Sequence, residues 1–177
     1  KEDGYGTMFL VPSCTSEIMS TELGPIAAEL SREHGVEVIP VSADGQFLSS
    51  KFGGTIGLFE TLIRRMSPKE TVKGSVNLIA RWFYGLGKDR NTEAIGHILD
   101  LLDLRVGTRF LDFCRMADIE DFCSGEMDIQ IGRGNLNSKI ADRISKVTGR
   151  RRALIVDVPT GLCGCLRLID RLEEYAP

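Results

Sequence analysis

Cys14 is the side chain in this sequence with the clearest capacity for chemistry. It follows the apolar run Met8–Val11 within the stretch MFLVPSCTSE, and an amphipathic pattern begins shortly after it. A short apolar run is typical of a buried strand, so the thiol stands where a strand ends. Thiolates are nucleophiles and metal ligands, whereas a buried cysteine acts as a small hydrophobic side chain. Position alone allows both roles: a sulphur held at the carboxyl end of a sheet for binding, or a buried residue that ends a strand.

A second candidate site is the glycine-rich turn in the stretch IGRGNLNSKIADRI. Gly132, Gly134 and Asn135 open a helical pattern there with Arg133 between the glycines, so their amides and the guanidinium could bind an anion. The pattern is neither G-x-G-x-x-G nor a phosphate-binding loop with its Lys-Ser/Thr pair. It favours a structural interpretation, in which the glycines form a tight turn and Asn135 caps the helix.

The remaining cysteines and the histidines indicate neither a complete metal site nor a hydrolase. Five cysteines without an export signal favour reduced thiols over a disulphide framework. Cys163 and Cys165 are separated by one residue, whereas zinc and redox motifs need two, and we interpret the pair as small residues that allow close packing. His34 and His97 lie in helical patterns without a nucleophile or carboxylate at a suitable spacing.

Two kinds of element must position these residues, and they alternate along the whole chain: apolar runs and helical patterns. Such alternation is typical of parallel strands joined by crossover helices, so we predict an α/β, Rossmann-like fold with parallel sheets. Gly35 and Gly149 stand where two helices should end in a left-handed residue. The predicted strands are Thr7–Val11, Glu37–Val41, Ser75–Ala80, Arg105–Leu111, Asp128–Ile131 and Ala153–Val158. The predicted helices are Ser20–His34, Gly54–Met66, Thr92–Leu102, Met116–Phe122, Asn135–Thr148 and Cys165–Glu174.

The polar connection RRMSPKETVKG is the predicted boundary between two lobes, because its proline cannot continue a helix. Residues 1–72 then form a first βα lobe that carries Cys14, and residues 73–177 form a second Rossmann-like lobe, either as two bodies or packed as one unit. Ligands of open parallel sheets bind outside the carboxyl ends of the strands. The turn at Cys14 and the turn at Gly132 both follow predicted strands.

Composition excludes several classes of protein. The chain has 177 residues, 42% of them hydrophobic, and a formal net charge of -3, which gives no field that would attract nucleic acid or an anionic membrane. No apolar run approaches the roughly 20 residues that span a bilayer, so we expect a cytoplasmic protein. The adjacent residues Arg150, Arg151 and Arg152 are typical of a solvated loop.

The order of motifs along the chain resembles that of nitrogenase component 1 and its relatives. These include cofactor-assembly scaffold subunits, dark-operative protochlorophyllide reductase subunits and the reductive cyclase of nickel-tetrapyrrole synthesis. The likeness is carried, over almost the whole chain, by SCTSEIMSTELGPIAAELSREHGVEVIPV, GQFLSSKFGGTIGLFETLI, VNLIA, EAIGHILDLLDLRVGTRF, NLNSKIADRIS and VPTGLCGCLRLIDRL. It implies part of an oxidoreductase subunit that takes electrons from an ATP-dependent iron-sulphur reductase, through an iron-sulphur cluster, to a bound cofactor or substrate. Because the chain begins with Lys1, we expect a piece of a longer subunit that is inactive alone.

The resemblance implies cluster ligation by one residue of this chain, Cys14. In the family, a strand ends in a Cys-Thr/Pro-x-Glu turn that leads to Ile-Gly-Asp-Asp, and the cysteine ligates an iron-sulphur cluster at a subunit interface. Cys14 to Ile18 match this turn, whereas Met19 to Glu22 replace the Gly-Asp-Asp segment and change its polar surroundings. The other cluster cysteines of the family lie upstream of the turn.

Two further segments match cofactor-side regions of the family. Gly45 and Phe47 loosely match a GFxGS segment and would pack beside the cluster, or else serve as a turn glycine and an anchoring aromatic. The stretch MDIQIGRGNLNSKIA resembles the segment with the cysteine ligand of the molybdenum-iron cofactor, and Gly132 stands where that cysteine would be. The chain therefore does not resemble a dinitrogen-reducing subunit, and Gly132, Arg133 and Asn135 are candidate cofactor-binding residues.

The resemblance also implies partners: a second component 1-type subunit, in a homo- or hetero-oligomer, and the ATP-dependent iron-sulphur reductase, with no nucleic acid and no membrane. Two other functions stay open from the sequence. One is an assembly scaffold that holds a cofactor precursor without turnover, and the other is a metal-free Rossmann-like module that binds a small molecule.

Overall fold

Parallel strands and helices alternate along the chain, as the sequence predicts. The computed structural model describes residues 5–41, 53–79, 88–110, 114–132 and 135–175. The chain divides into two compact units, Lys1–Leu62 and Ile63–Pro177. Every strand pair of the described residues is parallel, so the predicted α/β class is confirmed. In this part of the chain, each helix is too short or too polar to span a bilayer.

The first unit has a two-stranded parallel sheet. Strand β1 (Thr7–Leu10) pairs with β2 (Glu37–Pro40). Between them lie a short helix α1 (Cys14–Ile18) and a longer helix α2 (Leu23–His34), and α3 (Gly53–Ile63) follows β2. Helix α2 ends at Gly35 in the left-handed conformation, with a φ of 59°, where its N–H donates to the carbonyl of Ser31 at 2.9 Å. The predicted helix stop is therefore confirmed.

The second unit has a four-stranded parallel sheet with the order β4-β3-β5-β6. The strands are β3 (Val72–Ile79), β4 (Arg105–Phe110), β5 (Gly125–Ile131) and β6 (Leu154–Val156). The helices are α4 (Lys88–Asp100), α5 (Met116–Glu120), a 3-10 turn (Phe122–Ser124), α6 (Asn135–Thr148) and α7 (Gly161–Tyr175).

The two faces of this sheet differ in chemistry. Helices α4 and α7 cover one face, where their apolar side chains join those of β3, β5 and β6 in a single core cluster. Successive residues of a strand point to opposite faces. Asp128 and Gln130 of β5 therefore lie on the other face, where Gln130 contacts Ser138 of α6. The cluster comprises Val76, Leu78, Ile95, Leu99, Met127, Ile129, Ile131, Leu154, Val156, Leu168 and Leu172.

The strand order creates a topological switch point between β3 and β5. From β3 the chain crosses to β4 on one side, and it later returns to β5 on the other side of β3. The crossover helices α4 and α6 lie on opposite faces, as right-handed connections in opposite directions require. Ile79, the last residue of β3, pairs in register with Gln130. The crevice at the carboxyl ends of β3 and β5 is the place where such sheets bind ligands.

A buried polar network fixes the amino edge of the same sheet. The guanidinium of Arg150 pairs with the carboxylate of Asp128 through Nε (3.0 Å) and Nη2 (2.8 Å). It also donates to the carbonyls of Cys123 (2.9 Å) and Gly125 (2.7 Å). The side chains of Arg150 and Asp128 are only 16% and 3% exposed. The prediction of a solvated loop is therefore wrong for Arg150, because the loop before β6 inserts this side chain against the stretch that leads from the 3-10 turn into β5.

Asn77 extends the network to the central strand. Its Nδ2 donates to the carbonyl of Phe122 (2.7 Å) and to Asp128 (2.8 Å), and its Oδ1 accepts the N–H of Thr108 (3.1 Å). A Cβ at Gly125 would overlap the Asn77 amide, so this position needs glycine. The network therefore joins β3, β4 and β5 at the edge opposite the switch point.

Candidate functional site

Cys14 lies in the turn that follows the carboxyl end of β1. It is the first residue of α1, four positions after Leu10 ends the strand. Ser13 precedes this helix, and its Oγ accepts the N–H of Ser16 at 3.1 Å, which is the usual hydrogen bond of an N-cap serine. Local hydrogen bonding therefore fixes the backbone that carries Cys14. The backbone agrees with the predicted position at the ligand side of the sheet, and the role of the thiol stays a prediction.

Apolar side chains on both sides of Cys14 in the sequence are exposed. Val11 is 54% exposed, Ile18 67% and Met19 73%. Ser20 has a φ of 52°, and this left-handed residue separates α1 from α2. The segment that replaces the family's Gly-Asp-Asp therefore ends the short helix α1, and exposed apolar side chains lie beside it in the sequence.

The described residues do not supply a complete metal site. No three His, Cys, Asp or Glu side chains of these residues come together in an arrangement that could hold a metal ion. Cys14 fits an iron-sulphur cluster in donor type and in its place at a strand end, since thiolates are the usual cluster ligands. One thiolate holds only part of a cluster, so further ligands would have to come from outside this set.

The turn between β5 and α6 is built on Gly132. Its φ of 82° is left-handed, its N–H donates to the carbonyl of Val156 at 2.8 Å, and α6 begins at Asn135. These observations agree with the structural interpretation of the glycine as a turn residue. They also place Gly132 at the switch point, where ligands bind to such sheets. Anion or cofactor binding by Gly132 and Asn135 stays a prediction.

Gln130 is a candidate that the sequence reasoning missed. It is fully buried in β5, and its Nε2 donates to the carbonyl of Gly132 (2.9 Å) and to Oγ of Ser138 (3.3 Å). Its Oε1 is buried without a hydrogen-bond partner among the described residues. The available signal was a lone amide in the apolar run MDIQI, because a buried polar side chain needs partners.

The other predicted site residues are distributed as follows. Gly45, Phe47 and Arg133 lie outside the described residues, so their proposed roles stay predictions. Cys163 is exposed and Cys165 is half-buried, both in the first turns of α7. Residues two apart on a helix do not face each other. The two side chains are therefore not placed to share a ligand, and the interpretation of the pair as small packing residues does not hold for the exposed Cys163.

Two other features of the second unit have chemical interest. Cys123 is buried beside the amino-edge network, and burial raises the pKa of its thiol. A groove of about 330 Å³ lies along the outer edge of β6, between Ile155–Val158 and the helix α7. Arg167, Asp170 and Arg171 line it, so its charges are mixed.

Comparison with known proteins gives two positive findings. The chain matches, over residues 1–177, the family described as nitrogenase component 1 type oxidoreductase. It is similar to a solved structure described as nitrogenase Cp1 at pH 5, with a TM-score of 0.72 and 14% sequence identity over 97% of this chain. The chain spans 34% of the length of that nitrogenase chain, and at this identity the likeness concerns the fold alone. No curated protein matches the sequence.

Proposed function

The chain belongs to the nitrogenase component 1 type oxidoreductases, and on this premise we propose that it forms part of a subunit that takes electrons from an ATP-dependent iron-sulphur reductase, through an iron-sulphur cluster, to a bound cofactor or substrate. The family match covers every residue of the chain, so the resemblance identified from its motifs is confirmed. The observation that supports the proposal best is the position of Cys14 at the carboxyl end of a parallel strand, on a turn capped by Ser13.

In this proposal, Cys14 would hold one iron of the cluster, which would supply one-electron redox chemistry when bound. The Ser13 cap would stabilise the turn whose backbone carries Cys14. In this proposal the exposed side chains of Val11, Ile18 and Met19 would be covered by a second component 1-type subunit. That subunit would also shield the cluster from water.

The bound cofactor or substrate would lie at the switch point of the second sheet, beside Gly132, Arg133 and Asn135. Gly132 is held in a left-handed conformation that a side chain with a Cβ adopts only with strain. A cysteine ligand at this position is therefore disfavoured by the backbone. For this reason we propose a reductase or scaffold role rather than dinitrogen reduction.

An assembly scaffold is the second candidate function, and the same turn favours it. A carrier must release its cargo, and a turn without a thiolate would hold a cofactor precursor through hydrogen bonds and charge. Turnover of an added tetrapyrrole-like or other reducible substrate with reductase, ATP and reductant distinguishes the two candidates. A catalytic subunit consumes substrate under these conditions, whereas a scaffold retains a cofactor without consumption.

The proposal is tested by anaerobic iron and sulphide analysis with electron paramagnetic resonance on the full-length protein that contains this chain. We expect a cluster signal that is lost or altered in the Cys14→Ser variant. Cys163→Ser is the matched control, because this exposed cysteine lies in the second unit and should leave the signal unchanged. A full-length protein without iron, or equal signals in both variants, would leave Cys14 as a structural residue.

A further inference from the structure

Strand β6 has an open backbone edge at one side of the second sheet. In the described part of the chain this strand pairs with β5 alone. The carbonyl of Val156 accepts the N–H of Gly132, so the polar backbone groups of Val156 face β5. Those of the preceding residue, Ile155, point away from β5, because the hydrogen-bonding direction alternates along a strand. Such an open edge is a template for another strand.

A groove with charged walls follows this open edge. It has a volume of about 330 Å³ and lies between Ile155–Val158 and helix α7. Four exposed charged side chains of α7 line it. Arg171 pairs with Glu174 at 2.6 Å, whereas no ion pair joins Arg167 or Asp170 to another residue that the structure describes. The helix wall therefore presents a cation and a carboxylate, three residues apart, that are available to a partner.

A second copy of this chain suits the groove in both its backbone and its charges. Two β6 strands related by a two-fold axis perpendicular to the sheet are antiparallel, and the outward groups of Ile155 can bond their equivalents. The same axis keeps both α7 helices on one face of the joined sheet and makes them antiparallel. Arg167 of one copy can then pair with Asp170 of the other, at two symmetric contacts. A partner of one charge sign would instead place a like charge against one of these residues.

We propose that the open edge of β6 and the groove beside α7 form a self-association surface, through which two copies of this chain join their four-stranded sheets into one continuous sheet. Ile155 exchanges two backbone hydrogen bonds with its equivalent, and pairs between Arg167 and Asp170 flank them. The surface lies entirely in the second unit, whereas Cys14 lies in the first. The inference therefore goes beyond the proposed function and does not depend on a cluster.

Two opposite charge reversals test the proposal by analytical ultracentrifugation of the full-length protein that contains this chain. Arg167→Glu places carboxylates against each other across the two-fold axis, and Asp170→Arg places guanidiniums against each other. Each variant alone should self-associate at least about tenfold more weakly, because the symmetry repeats the repulsion at two contacts. A mixture of the two variants should associate as tightly as the unmodified protein, since opposite charges then meet at both contacts. Lys146→Glu, at an exposed position of α6, is the matched control and should change nothing.

Amide hydrogen exchange distinguishes a second copy from other occupants of the edge. The N–H of Ile155 should be protected in the concentrated protein and should exchange on dilution or in the Arg167→Glu variant. The N–H of Val156, which faces β5, should stay protected under the same conditions. Protection of Ile155 that is independent of concentration would mean that another segment of the subunit covers the edge, and it would overturn the proposal. A protein that does not self-associate, or reversed variants that do not associate when mixed, would overturn it as well.

Discussion

The Arg150–Asp128 pair allows a sharp test of how the second unit is held together. Arg150→Met keeps much of the side-chain volume but removes the guanidinium. Asp128 is then a buried carboxylate without its cation, and the carbonyls of Cys123 and Gly125 lose their donor. Removal of one partner of a buried pair costs about 3–5 kcal/mol. We expect the free energy of unfolding to fall by this amount, a large share of the stability of an ordinary domain, which is about 5–15 kcal/mol.

Arg152→Met is the matched control two residues away. Arg152 pairs with Asp142 at 2.8 Å, a distance equal to the shortest one in the buried pair, but the two side chains are 58% and 44% exposed. Exposed ion pairs contribute about 0–1 kcal/mol, because water screens the charges and competes for the donors. The same substitution in the same loop should therefore have little effect. The two substitutions are expected to differ because the Arg150 pair is buried and the Arg152 pair is exposed, although their shortest distances are equal.

Urea unfolding measured by circular dichroism reports the loss, and amide hydrogen exchange in β3 and β5 assigns it to the second unit. With a slope of about 1–3 kcal/mol per molar urea, the midpoint of the Arg150→Met variant should fall by at least about 1 M. Asp128→Asn in the Arg150→Met background should cost less than Asp128→Asn alone, because the charge that needed a partner is already orphaned. Equal midpoints for Arg150→Met and Arg152→Met would refute the reasoning.

Two other predictions concern titratable groups. The guanidinium of Arg115 donates to Asp118 and, with the Arg115 N–H, holds the pKa of that carboxyl below its ordinary value. The stabilisation of α5 by ionised Asp118 is present above the unfolded pKa of about 4 and is lost as the pH falls through the folded pKa. Arg115→Ala should raise the Asp118 pKa in an NMR titration. An unchanged pKa would contradict this expectation. Burial raises the pKa of the Cys123 thiol. Iodoacetamide at pH 8 should therefore alkylate the exposed Cys163 at least about tenfold faster than Cys123, as measured by peptide mass spectrometry. Equal alkylation rates in the folded protein, or a difference that persists in urea, would contradict this expectation.

Much of the fold was predictable because local chemistry and tertiary structure agree in these segments. The apolar runs became strands, and Gly35 and Gly149 end helices in the left-handed conformation with φ values of 59° and 69°. Periodicity missed α1, since a helix of five residues is shorter than the window in which a helical period is visible. The local signal for α1 was Ser13, whose side-chain Oγ caps the helix and leaves no periodic pattern in the sequence.

The features that the sequence did not reveal depend on partners distant in the chain. Arg150 reads as one of three solvated arginines, and only the fold brings it to Asp128, 22 residues earlier. Asn77 reads as one polar residue in an apolar strand, and only the fold brings it to Phe122 and Asp128. The boundary between residues 72 and 73, and the roles of Gly45, Phe47 and Arg133, stay predictions.

The Arg150 network has a consequence for the order in which the chain is completed during synthesis. The strands β3, β4 and β5 emerge from the ribosome before the arginine that neutralises Asp128. Until residue 150 is available, the carboxylate lacks its cation, and burial of an unpaired charge at the amino edge of β5 is unfavourable. We therefore expect the first three strands of this sheet to reach their final packing only after α6 and Arg150 have been made.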